Sequence, residues 1–319
     1  MLRTLVVLGC LALLALGLAL AIGSVTINPN ALWLALQGQG NPLHQTLLWE
    51  LRLPRALAAF ATGGLLAVAG ALMQILLRNP LADPYVLGLS GGAAVGALLA
   101  MLAGLGALLI SGLAFTGAML AMLLVFGLAQ GSGNWTASRL LLTGVVVAAG
   151  WGAVITLILA LTPSYKLPGM LYWLMGDVSY ARSPWPALGV LAVASLLILP
   201  LARNLNVLAR GPLQAAALGV AVRPLEWSIY LIASLLTATA VTTAGSIGFV
   251  GLIVPHMLRL VLGNDQRLIL PASALAGGSL LVLADTLART VIAPEQLPVG
   301  VITALLGVPT FLYLLHRSR

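Results

Sequence analysis

The residues able to do chemistry in this sequence are few and stand singly. Fifteen lysines and arginines and seven aspartates and glutamates are spread over 319 positions. Three arginines draw the eye: Arg52 and Arg55 around Leu53-Pro54, and Arg289 closing Ala284-Asp285-Thr286-Leu287-Ala288-Arg289. A guanidinium fork grips a carboxylate through two parallel hydrogen bonds, so such a set could hold an acidic partner protein. It could equally anchor the chain at a lipid interface by reaching for phosphates. Charge alone leaves both readings open. Asp83, Asp177 and Asp285 sit at span ends or in broken segments, and an intramembrane carboxylate is a functional candidate by default. Simpler roles exist for two of them. Asp83 lies between prolines and can cap a turn, and Asp285 can pair with Arg289 one helical turn on.

Nucleophile and metal chemistry find little support. Gly88-Leu89-Ser90-Gly91 matches the short signature of rhomboid intramembrane serine proteases, with His256 as the conceivable base. The residues after it, Met257-Leu258-Arg259, differ from the histidine helix of those enzymes. His44, His256 and His316 show no ligand spacing, so no metal site is expected. Cys10 is the only cysteine, which rules out an intramolecular disulfide; its surroundings read as a first membrane span rather than a lipoprotein cleavage site. Lys166 is the only lysine, and it follows Pro163-Ser164-Tyr165 instead of a glycine-rich turn. A P-loop needs that lysine on the β- and γ-phosphates. If ATP drives this protein, ATP and Mg therefore sit on a partner chain, and no cofactor is expected on this one.

The elements that carry these residues are apolar. Hydrophobic residues make up 61% of the chain, charged ones 7%, and the mean hydropathy is +1.10, a composition suited to lipid as the solvent. Runs of about 17–25 residues, long enough to cross a bilayer, lie near 4–23, 55–76, 91–109, 112–130, 139–161, 185–202, 226–244, 248–262, 268–288 and 297–315. The expected fold is an all-α polytopic membrane protein of about ten transmembrane helices with both termini cytoplasmic. It forms one transmembrane domain over residues 1–319. That orientation puts Arg3, Arg78, Arg139, Arg203, Arg210, Arg223, Arg259, Arg267, Arg317 and Arg319 inside. Outside it leaves Arg52, Arg55, Lys166, Arg182 and Arg289, in keeping with the positive-inside rule. The net charge of +8 does not point to nucleic acid, because the basic residues punctuate helix ends instead of forming a stripe.

Two glycine- and proline-broken segments follow the second and seventh runs, Asn79 to Gly92 and Gly245 to Pro255. Those runs would cross in opposite senses, so matching breaks suggest an inverted repeat. Gly63-x-x-x-Ala67 and Gly92-x-x-x-Gly96 place small residues on one helix face, where backbones can approach. The longest inner loop, near 203–223, holds a short helix opened by Pro212 and closed by Gly219. It suits either docking to a protein or rest on lipid headgroups.

Arg52-Leu53-Pro54-Arg55, Gly70-Ala71-Leu72-Met73-Gln74 and Arg78-Asn79-Pro80-Leu81-Ala82-Asp83-Pro84 together resemble the opening of the FecCD-type permeases. Gly248-Phe249-Val250-Gly251-Leu252-Ile253-Val254-Pro255-His256, Ala284 to Arg289 and Glu295 to Thr303 resemble the same family. These are the membrane subunits of ATP-binding-cassette importers for iron chelates (ferric siderophores), heme and cobalamin. The resemblance implies a multi-pass permease of the bacterial inner membrane, itself no enzyme. It implies a homodimer with two ATPase subunits below and a periplasmic substrate-binding protein outside. It implies docking of that protein on Arg52, Arg55 and Arg289. Coupling to the ATPase is implied through Arg210, Gln214, Ala217, Leu218 and Gly219, although Pro212 and Gln214 stand where the family commonly has acidic residues. A substrate path near Asp177, Gly248 and Gly251 is implied as well. The alternatives are the Ser90/His256 protease and an ATP-independent carrier; a carrier would favour charge in mid-span, and almost none is found.

Overall fold

The computed structural model describes residues 1–23, 27–130, 136–181 and 183–317. Arg182 and Arg319, both assigned a side from the sequence, lie outside the described residues. The described chain is helical from end to end. In order, the helices are α1 (Leu2–Ala21), α2 (Pro29–Leu36), α3 (Pro42–Thr46), α4 (Leu53–Leu76), α5 (Leu89–Leu102), α6 (Ala107–Gln130), α7 (Ala137–Leu161) and α8 (Leu167–Met175). There follow α9 (Trp185–Ile198), α10 (Ala202–Leu208), α11 (Pro212–Ala217), α12 (Val222–Ala244), α13 (Val250–Leu262), α14 (Gln266–Thr290) and α15 (Val299–Arg317). Among the described residues, seven helical runs are long and apolar enough to cross a membrane, and α5, α13 and residues 299–314 of α15 are shorter apolar helices. Each of the apolar stretches marked in the sequence overlaps one of these ten.

The expected third span, 91–109, is shorter than its hydropathy implies. It stops at Leu102, where Gly104 takes a positive φ of 69° and turns the chain back toward α6. At 14 residues, α5 is roughly 21 Å long, short of the ~30 Å hydrocarbon core. The 13-residue α13 is equally short. Both half-length helices begin within the two broken segments, α13 running through Pro255, and those segments touch: the backbone N–H of Ile247 donates to the Tyr85 hydroxyl at 3.1 Å.

Helix α4 is the axis of the bundle, with 19 of its 24 residues buried under α1, α9, α12, α13 and α14. Its small residues explain how so many helices reach it. A side chain on Gly63 would strike the Gly277 carbonyl of α14, and one on Gly70 would strike the Gly251 carbonyl of α13. On the far side Gly92 of α5 and Gly117 of α6 make the same kind of crossing. Lipid tails are as apolar as leucine, so close backbone packing holds such helices together where the hydrophobic effect cannot. Other leucines face outward: Leu108, Leu142 and Leu196 are 79%, 66% and 71% exposed, as befits a surface that meets lipid.

Candidate docking and coupling faces

The arginine face starts with a proline. Within a helix, proline cannot donate to residue i−4 and its ring crowds that carbonyl. Pro54 sits inside a continuous helical run from Pro42 to Leu76, and the chain answers with a π-helical stretch, Leu47–Arg52, just ahead of it. Arg52 and Arg55, three residues apart, emerge at this junction on one face.

Asp285 is the hub of this end. It is 1% exposed, on α14. The Arg55 guanidinium donates to it through Nε at 3.1 Å to each oxygen and through Nη2 at 2.8 Å. Arg289 Nε donates to its other side at 3.1 Å, the one-turn pair expected from the sequence. Arg55 also donates to Gln296 Oε1 at 2.7 Å and lies 3.7 Å from Asp177. Arg52 turns away toward α1, donating to the Leu20 carbonyl at 2.6 Å and the Ala21 carbonyl at 3.2 Å. Arg289 Nη2 reaches the Ala19 carbonyl at 3.3 Å. The last carbonyls of a helix have no intrahelical donor, so the two guanidiniums act as a C-terminal cap for α1.

The family resemblance implied docking of a partner on these three arginines. In the structure Arg52 and Arg289 are only 6% and 8% exposed and are engaged inside the fold. The hollow these side chains border, about 360 Å³, also takes in Glu50, Ser179 and Gln296.

Asp177 is buried as well. It caps the turn Val178–Tyr180 by accepting from the Ser179 N–H at 2.8 Å, and its own N–H donates to Ala244 at 2.8 Å. Gly176 accepts from the Gly300 N–H at 3.1 Å, so this segment joins the ends of α12 and α15. Of the two glycines expected along a substrate path, Gly248 has open space beside it. Gly251 does not: it is buried against Gly70, Leu66 and Pro84, where α4 and α13 cross closely. Asp83 is a turn cap, accepting from the Tyr85 N–H at 2.8 Å.

At the opposite end, α11 spans Pro212–Ala217, with proline in its first turn and Gly219 leaving at φ 80°. Ala215 is fully buried, whereas Leu213 and Leu218 are 87% and 69% exposed. Gln214 and Ala217 are exposed beside them, and Arg210 is exposed just ahead. The helix rests on a firm base. Asn206 of α10 donates to Asp265 at 2.8 Å and accepts from the Gln266 N–H at 2.7 Å, tying α10 to the start of α14. The Asn206 amide and the Arg267 N–H hold the Asp265 carboxyl below the usual carboxylate range.

Sequence reasoning gave Gln74 no role. It is buried in the last turn of α4, donates to the Leu252 carbonyl at 3.1 Å, and accepts from Arg259, whose other nitrogen donates to the Ala71 carbonyl at 3.2 Å. This pair pins α4 to α13. A lone amide in an apolar run was the available signal, since a buried polar group must find a partner.

The sequence matches the FecCD transport family over residues 11–317. The chain belongs to that family. Among similar proteins, the vitamin B12 import system permease protein BtuC of Vibrio cholerae is 40% identical over 309 residues, covering 96% of this chain and 93% of that protein. The hemin transport system permease protein HmuU of Yersinia pestis is 41% identical over 325 residues, covering 96% and 95%. A solved structure described as a metal-chelate type ABC transporter in an inward-facing conformation superposes with a TM-score of 0.88 at 30% identity, covering 99% of this chain and all of that one. As a FecCD permease, this chain is the multi-pass membrane subunit of an ABC importer, working with separate ATPase and binding-protein partners. The protease reading of Ser90 and His256 falls with that assignment.

Proposed function

We propose that two copies of this permease form the membrane core of an importer for a bulky metal chelate: a corrinoid, heme or a ferric siderophore. The names of the cobalamin and hemin relatives support that substrate class. Each copy crosses the membrane ten times, counting α1, α4, α5, α6, α7, α9, α12, α13, α14 and α15, with both termini inside. The half-length α5 and α13, each beginning within a broken segment, support an inverted repeat. The whole of 1–319 is one permease domain, with 203–223 as its cytoplasmic coupling segment.

The observation that carries this reading is α11. A six-residue helix that buries one alanine and presents Leu213 and Leu218 to solvent stabilises little within its own chain. It suits a groove on an ATPase, with Arg210, Gln214, Ala217 and Gly219 at its margins. ATP on the partner favours one conformation of the pair, and the permease turns that bias into a change of the side to which the path opens. The periplasmic binding protein docks at the other end. Arg55 is the first guanidinium it meets, and acidic groups on the partner must compete with Asp285 and the α1 carbonyls for Arg289 and Arg52. Asp177 and Gly248 border the path.

The test is transport in liposomes containing the permease, its ATPase and its binding protein, offered cobalamin, hemin and a ferric siderophore in turn. ATP-dependent uptake of one of these is expected. Uphill uptake by the permease alone would refute the reading.

A further inference from the structure

Between Arg3 and Glu50 the sequence holds no lysine, arginine, aspartate or glutamate. That uncharged stretch supplies α1 and then, at the Asp285 end of the bundle, α2, α3 and the start of the π-helical stretch Leu47–Arg52. At 20 residues α1 is roughly 30 Å long, the thickness of the hydrocarbon core, so its last turn lies at the lipid boundary. The chain stays at that level. The Ile27 N–H donates to the Ala21 carbonyl at 3.1 Å, and α2 opens at Pro29. Ala35 of α2 then shares a small buried cluster with Leu20 of α1 and with Leu48. The Trp49 indole N–H donates to the Ala35 carbonyl at 3.1 Å. These contacts hold α2 at the depth of the last turn of α1. Its main neighbours are α1, α3 and the π-helical stretch, which places it at the rim of the bundle and not over the α4 axis. The face of α2 turned from Ala35 is apolar and bare. Trp33 lies about 200° round the helix from Ala35 and is 63% exposed. Leu34 and Leu36 are exposed on its flanks, as is Leu43 of α3. The turn from Gln37 to Asn41 is exposed and polar but uncharged. Tryptophan gathers at membrane–water interfaces because its ring is apolar and its N–H polar.

From this placement we infer that α2 and α3 form an interfacial anchor, lying in the headgroup layer with Trp33 and Leu36 set among the headgroups and the first acyl carbons. A face of indole and leucine held at this depth meets lipid whether or not a partner protein is present. The Trp49–Ala35 bond carries the anchor's position into the π-helical stretch that ends at Arg52. The lipid surface thereby sets the height of the arginine face. The inference needs α1 to cross the membrane, but it depends neither on which chelate is carried nor on how a binding protein docks.

Cys10→Ser removes the only cysteine, and W33C, L36C, L13C and E295C then each carry one nitroxide label. The full-length permease is reconstituted in vesicles of phosphatidylethanolamine and phosphatidylglycerol. Collision of each label with oxygen, which concentrates in lipid, is compared with collision with a water-soluble nickel chelate. L13C, at a position 71% exposed in the middle of α1, marks the lipid core, and E295C, in the exposed turn after α14, marks water. The oxygen-to-nickel ratio at W33C and L36C is expected several-fold above that at E295C and below that at L13C. A ratio equal to that at E295C means the face meets water and overturns the anchor. Exclusion of both reagents means protein covers the face and overturns it as well. In the otherwise unchanged chain, Trp33→Ser with Leu36→Ser should speed hydrogen exchange across Leu47–Arg52 and leave α12 as in wild type. Unchanged exchange at Leu47–Arg52 overturns the link from the anchor to the arginine face.

Discussion

Arg55 and Asp285, 230 positions apart in sequence, share a forked ion pair with a closest approach of 2.8 Å in the buried end of the bundle. The pair joins the start of α4 to the end of α14. Through Arg289 it extends to α1, and through Arg55 to Asp177 and Gln296. The arginines therefore hold five parts of the chain together.

Removing the shared anion should cost more than removing any one arginine. Asp285→Asn leaves two guanidiniums without their buried counter-charge, and breaking such a pair typically costs about 3–5 kcal/mol. Thermal unfolding of the detergent-solubilised variant should show a large drop in midpoint. A double-mutant cycle with Arg55→Ala should be strongly non-additive. Additive effects would mean the two side chains are not coupled.

The arginines should also differ in role. Arg55→Glu is expected to weaken association with the binding protein in a pull-down. Arg52→Gln should chiefly loosen the end of α1, seen as faster hydrogen exchange at residues 18–23. Equal effects of both variants on partner affinity would argue that Arg52 leaves α1 to dock.

Close helix crossings on α4 should tolerate no added side chain. Gly63→Val and Gly70→Val each drive a side chain into a facing backbone carbonyl. Overpacking of this kind costs about 1–3 kcal/mol or more, so the yield of monodisperse protein in size-exclusion chromatography should fall. Gly9→Val on α1, with nothing near its added carbon, serves as the control and should behave as wild type.

Leu213→Asp and Leu218→Asp should leave folding untouched, since both side chains are exposed. They should weaken ATPase binding by roughly tenfold or more, equivalent to about 1.4 kcal/mol. Surface-immobilised permease titrated with ATPase measures this directly. Unchanged affinity would remove α11 from the coupling contact.

The α10–α14 tie should respond to acid. The folded-state pKa of Asp265 is depressed, chiefly by the Asn206 amide. Its contribution is therefore complete above the ordinary carboxylate value of about 3.9 and is lost as pH falls through the lower folded value. Hydrogen exchange at Gln266–Leu268 should rise over that interval in wild type. Asp265→Asn should show no such step.

Much of this was written along the chain. The ten apolar stretches, the glycine pairs that let helices approach, the one-turn pair of Asp285 and Arg289, and the proline and glycine bounding α11 all depend on neighbours within a few turns. Local periodicity and composition report such features directly. The motifs that resemble FecCD permeases were legible for the same reason.

What the sequence could not say is which way the scarce charges point. Charge left Arg52 and Arg289 open between docking a partner and anchoring in lipid, and the resemblance implied a path near Gly251, because neither charge nor small size says anything about the neighbour across the bundle. Only the packing of α1, α4 and α14 decided that two guanidiniums cap a helix end, and only the crossing of α4 and α13 decided that Gly251 is covered. The division has one physical cause. Hydropathy fixes which segments enter lipid, residue by residue, but inside lipid every polar group must find a partner within the protein. Those partners lie up to 270 positions away, where the chain's own order gives no sign of them.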